Sequence, residues 1–241
     1  MLTSNSALFS LPANLDKKLL FTLDGMRAAI QIIDFSYKRL CKGLYELTFY
    51  KNESIKNDTF TPLLLDAWVF IDAIDRFRCL WIILTRTMNI NEEFSESKVK
   101  EKLQLVREIR NVLAHVAQKV DRLASLNSSV SGELSWVVIH NESPLTVKTY
   151  FIRSGVFLKK LNFQFALPVG NIHFNEHKIG LIEFKAEENV VDLVSVYSYT
   201  NSIVKYLEYF LTDIIQKMNF QDVCSSEVFG SAELDTKSWD R

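Results

Sequence analysis

The stretch "LVREIRNVLAHVAQKV", Leu105 to Val120, sets Arg110 beside Asn111 and places His115 five positions after the arginine. These residue types suit metal-independent RNA cleavage. A neutral histidine takes the 2′-hydroxyl proton, and a protonated one supplies a proton to the leaving oxygen, because imidazole titrates near physiological pH. An arginine fork holds a phosphate and stabilises charge developing on its oxygens. Asn111 would orient the histidine or donate to the phosphate. The same residues also read as an ordinary wet helix face, with Arg110 in a surface ion pair and His115 at the boundary. Spacing alone does not separate the two readings.

The segment carrying them, from Ser95 or Ser97 to about Leu126, reads as one helix. At about 100° per residue, Leu105, Val106, Ile109, Val112, Leu113, Val116, Val120 and Leu123 gather on an arc that faces a core. Arg107, Asn111, Gln118 and Arg122 occupy the opposite arc, with Arg110 and His115 towards its edges and Ala114 between them. On an ideal helix Arg110 and His115 stand roughly 140° apart, too far to meet within one chain. A second copy crossing near Ala114 would bring each Arg110 toward His115 of the partner subunit, so an isologous homodimer is expected. Between Ser97 and Arg122 seven basic residues stand against three acidic ones, in a chain of net charge −1. Such a patch suits a phosphate backbone and makes Arg107, Lys119 and Arg122 candidate RNA contacts.

Three further helices are expected. One spans about Asp16 to Tyr50, unbroken or interrupted at Gly25 or Gly43. A second follows Thr61-Pro62, with Thr61 as N-cap and Pro62 at the first helical position, and continues to about Thr87. Within it "DAIDRFR" sets Asp72 and Arg76 four apart, with Asp75 and Cys79 on the same arc. That pattern reads first as an intrahelical ion pair. The functional alternative has Asp72 or Arg76 packing behind the motif helix and orienting His115. From Glu133 to Lys185 the period changes to two: "ELSWVVIH", "LTVKTYFIR", "KKLNFQFALP" and "KIGLIEFKA" read as strands of a small antiparallel sheet. Helical periodicity returns from Asn189 to Met218. The fold class is α+β, mainly α, in a single domain: a bundle over 16–126 and 189–218, a β insertion over 133–185 before the last long helix, and a flexible tail over 221–241.

Composition narrows the function. Apolar residues make up 48% and charged residues 24% of the 241, as in soluble globular proteins. No phosphate-binding or dinucleotide glycine motif and no nucleophile elbow is present, which disfavours P-loop, oxidoreductase and hydrolase readings. Three widely spaced cysteines suggest a reducing compartment. Cys41 and Cys79 lie in apolar runs, as small hydrophobes do. The most apolar run carries five charges, so no membrane span is expected. The first residues lack a basic start with an apolar core. A cytoplasmic protein is expected. "HFNEH" (His173 to His177) reads as a strand end and turn rather than a metal site, and no cofactor or metal is called for.

Together, the helical pattern and "RNVLAH" (Arg110 to His115) resemble the HEPN superfamily, the higher eukaryotes and prokaryotes nucleotide-binding domain. Its members share a helical bundle and an Arg-x4–6-His signature, often with Asn, Asp or His directly after the arginine. The resemblance covers about residues 16–126 and the last helix, and leaves out the β insertion. It implies a metal-independent endoribonuclease with its cleft shared across a homodimer, often a toxin or defence effector met by an antitoxin or regulatory protein. Arg110 and His115 would be catalytic, Asn111 supporting. The alternative is a catalytically silent helical module that binds a protein partner or a nucleotide through the same polar strip.

Overall fold

Asp16 opens the first helix: its carboxylate accepts a hydrogen bond from the Leu19 N–H at 3.1 Å, the geometry of an N-cap. The structure, a computed structural model, describes residues 1–49, 58–156, 174, 178–217, 223–224 and 229–231. Helix α1 (Lys17–Thr48) runs through Gly25 and Gly43 without interruption. Those glycines lie where α2 (Thr61–Thr87) packs on α1. A Cβ on Gly43 would come 2.4 Å from Leu63 Cδ2, and one on Gly25 3.1 Å from Leu80 Cδ1. Glycine here permits close approach of two helices rather than ending one. Helix α2 starts one residue earlier than expected, with Phe60 as N-cap and no side-chain cap. Pro62 in its first turn has no N–H to satisfy.

The single helix expected to carry the motif is three: α3 (Glu96–Lys102), α4 (Gln104–Ala114) and α5 (Val116–Ser125). The joints are Leu103 (φ −106°, ψ 15°) and His115 (φ −120°, ψ 32°). Leu103 and Val112 are both buried, yet on an unbroken helix they would stand roughly 180° apart. A joint at Leu103 lets both face the core. At His115 the ladder tightens instead. Its N–H is shared between the carbonyls of Asn111 and Val112, at 3.2 and 3.3 Å, and its own carbonyl accepts from Gln118 at 3.0 Å.

The sheet is antiparallel throughout and ordered β2-β1-β3-β4: β1 (Glu133–Glu142), β2 (Leu145–Arg153), β3 (Ile179–Ala186) and β4 (Asn189–Asp192). Strand β4 replaces what was expected as the first turn of the last helix, so α6 spans Leu193–Lys217. Asp192 makes the change, accepting from the Val194 N–H at 2.9 Å. The expected strand "KKLNFQFALP" and the histidines His173 and His177 lie outside the described residues.

Indoles fasten these layers, two of them buried, because an indole N–H away from water needs an acceptor. Trp136 of β1 donates to Thr48 Oγ1 of α1 at 3.1 Å, and Trp81 of α2 to the Phe94 carbonyl at 2.8 Å. Trp68 of α2 reaches the Ser131 carbonyl at 2.9 Å. Gly132, before β1, adopts φ +78°, and a Cβ there would sit 2.4 Å from Phe184 Cζ. One apolar core runs from α1 and α2 through α4 and the sheet to α6. The tail is tied at Val223, which bridges to Pro12, and at Cys224, whose N–H meets the Leu11 carbonyl at 2.9 Å. Cys41 is buried as expected, but Cys79 is exposed. Among the described residues no helix is long and apolar enough to cross a membrane.

Candidate functional site at the α4–α5 joint

Val106, Ile109 and Val112 take one side of α4 into the core, which turns Arg107, Asn111 and Ala114 outward at i, i+4 and i+7. All three are exposed, as is His115 at the joint. Among the described residues the side chains of Arg107 and His115 make no hydrogen bond or ion pair, and His115 is not packed into the core. Arg110 stands at the edge of this strip, with 39% of its side chain exposed, and leans toward α2.

There its Nε lies 3.5 Å from Asp72 Oδ1 and 4.0 Å from Asp75 Oδ2. Neither contact is close enough to be a strong hydrogen bond. The two terminal nitrogens of Arg110 donate no hydrogen bond among the described residues. Asp72 also pairs with Arg76, at 2.7 Å, and Asp75 with the buried Arg78, at 2.8 Å. Three guanidinium groups therefore share two carboxylates, and the cluster keeps an excess of positive charge. Arg78 Nη2 also donates to Cys79 Sγ at 3.4 Å.

Asp72 and Arg76, expected as groups that orient His115, are engaged instead with Arg110 and with each other; neither bonds to His115. The sequence set Asp72 and Asp75 on one arc, but not the reach of Asp75 to Arg110, which depends on how α4 lies on α2. No hydrogen bond joins Arg110 to His115. The angle between them expected on an ideal helix no longer applies, because the joint falls at His115 itself.

The other candidate phosphate contacts are committed to acids. Lys119 Nζ lies 3.3 Å from Glu187 Oε1, and Arg122 reaches Glu187 Oε2 at 3.4 Å and Glu188 Oε2 at 2.8 Å. Glu187 and Glu188 form the β3–β4 turn, far along the chain, and no spacing rule pointed to them. Near the start of α3, hydrogen bonds from Arg86 and then Lys100 hold the Glu96 carboxyl down at about 2. Among the described residues no group of three or more His, Cys, Asp or Glu could hold a metal ion.

No family model, no curated protein and no solved structure matches this chain. The HEPN resemblance thus rests on the motif and the helical pattern. What the geometry adds is chemical: an accessible imidazole at a helix joint, an exposed amide one turn before it, and a guanidinium beside two carboxylates whose fork donates no hydrogen bond among the described residues.

Proposed function

We propose that the protein is a metal-independent endoribonuclease of HEPN type that cleaves RNA at a cleft shared across a homodimer. The observation that carries this reading is the combination of an exposed His115, without a side-chain partner among the described residues, and an Arg110 drawn toward α2 by Asp72 and Asp75. The Asp72 and Asp75 carboxylates draw the guanidinium toward α2, and its terminal nitrogens, which donate no hydrogen bond among the described residues, suit bidentate contact with a phosphate. His115 acts as general base toward the 2′-hydroxyl and, once protonated, as general acid toward the 5′-oxygen. Asn111 supports one or the other, and Arg107 extends the phosphate contact along the strip. A toxin or defence effector, restrained by an antitoxin or regulatory protein, is the setting that the resemblance implies, and the cysteine pattern suits a cytoplasmic one.

The test is cleavage of a mixed, end-labelled RNA pool in EDTA by the purified protein and by His115→Ala. Cleavage by the unmodified protein alone, leaving 2′,3′-cyclic phosphate ends, supports the reading. Loss of the histidine should lower the rate about 10²–10⁴-fold. Equal cleavage by both proteins, or none by a folded unmodified protein, would remove it.

A second reading has one observation in its favour. Arg110, Lys119 and Arg122 already have carboxylate partners, as expected of a silent interaction module whose polar strip is structural. Under that reading the strip binds a protein partner or a nucleotide and His115→Ala changes no RNA.

A further inference from the structure

Glu187 is an unusual residue for its place. It opens the two-residue turn between β3 and β4 at φ +54°, a left-handed conformation in which glycine or asparagine is at ease and glutamate is not. Its side chain is 4% exposed, although an ionised carboxylate loses much by leaving water. Neither feature serves the turn itself. Both are offset by what the turn touches: Lys119 and Arg122, the two cations of α5, with Glu188 completing the grip on Arg122. Helix α5 begins immediately after His115. The two cations of α5 that a phosphate chain leaving the joint would meet are therefore held by carboxylates of the same chain.

We propose that the β3–β4 turn is an autoinhibitory clasp: Glu187 and Glu188 occupy Lys119 and Arg122 in place of RNA phosphates, and opening the clasp adds two phosphate contacts beside the α4–α5 joint. The nature of the ligand rests on the ribonuclease reading. The clasp itself rests on the buried, strained glutamate and its ion pairs. It gives the β insertion, which lies outside the HEPN resemblance, a role: the sheet carries the turn to α5 and fixes how much of the basic surface is open. A partner that pulls on the sheet would then change RNA affinity without touching His115.

Binding of a short labelled oligouridylate, followed by fluorescence anisotropy over a range of salt concentrations, tests this. His115→Ala protein keeps the probe intact, and Glu187→Gly with Glu188→Ala opens the clasp in that background. Glycine suits the turn's backbone, and circular dichroism with thermal melting verifies the fold. Opening should tighten binding about tenfold near 0.1 M salt and steepen the salt dependence by roughly 0.7 for each of two added contacts. Adding Lys119→Ala and Arg122→Ala to the opened protein should cancel the gain. If the protein cleaves RNA but opening changes neither affinity nor slope, the clasp is wrong and the ribonuclease stands. If it does not cleave, yet the opened form binds the probe more tightly, the clasp stands and the role of His115 falls. No binding by either form, in a protein that also does not cleave, overturns both.

Discussion

Arg78 has 6% of its side chain exposed, and its carboxylate partner Asp75 has 14%. A buried guanidinium left without its carboxylate costs far more than the pair is worth over a neutral replacement. Asp75→Asn should therefore lower unfolding free energy by about 2–3 kcal/mol. Asp72 pairs with the more exposed Arg76 and Arg110, so Asp72→Asn should cost less than about 1 kcal/mol. Urea unfolding of the two variants decides between them, and equal costs would contradict the burial argument. The split also bears on the site. Asp75 anchors the cluster, while Asp72 is the nearer partner of Arg110. At this scale the sequence was legible in part: the apolar spacing of Val106, Ile109 and Val112 already turned Arg107 and Asn111 outward, but Leu105 and Val120, expected on the same core-facing arc, are exposed. It was not legible across helices, since nothing in the spacing of "DAIDRFR" says which cation of α4 will lie beside it.

The elements show where periodicity misleads. From Val99 to Leu123 the apolar residues keep a helical rhythm without glycine or proline, so one helix was the natural expectation. The joints at Leu103 and His115 come from tertiary packing, which local pattern does not encode. Strand β4 was absorbed into the last helix for a related reason: Val190 and Val191 continue an apolar run, and only Asp192 marked the change. The β3–β4 turn offers a check on how these elements hold one another. Lys119→Ala with Arg122→Ala leaves the Glu187 carboxylate buried and uncompensated, and should cost about 2–4 kcal/mol. Glu187→Gly removes that charge and relaxes a left-handed backbone worth about 1 kcal/mol, so its cost should be clearly smaller. Thermal melts of the two proteins read the difference directly. A larger loss from the glycine variant would mean that the turn, rather than the charge, secures α5.

At the scale of the whole molecule, the proposed site requires two copies of the chain. The strip on α4 places Arg110 at one edge, drawn toward α2 by Asp72 and Asp75, and His115 at the helix end, with no bond between them. A two-fold axis near Ala114 would close this gap twice, once for each Arg110 and His115 of the partner subunit. Mixing separately inactive proteins tests that arrangement without any structure of the dimer. A heterodimer of Arg110→Ala and His115→Ala subunits has one site lacking both groups and one site with both intact. If subunits exchange freely, half of the dimers are mixed and half of their sites work, so the mixture should regain about a quarter of the unmodified activity, as statistics of a two-fold assembly require. No recovery in a mixture shown by mass to contain heterodimers would place Arg110 and His115 in the same chain's site. The joint at His115, rather than a partner, would then have to bring them together.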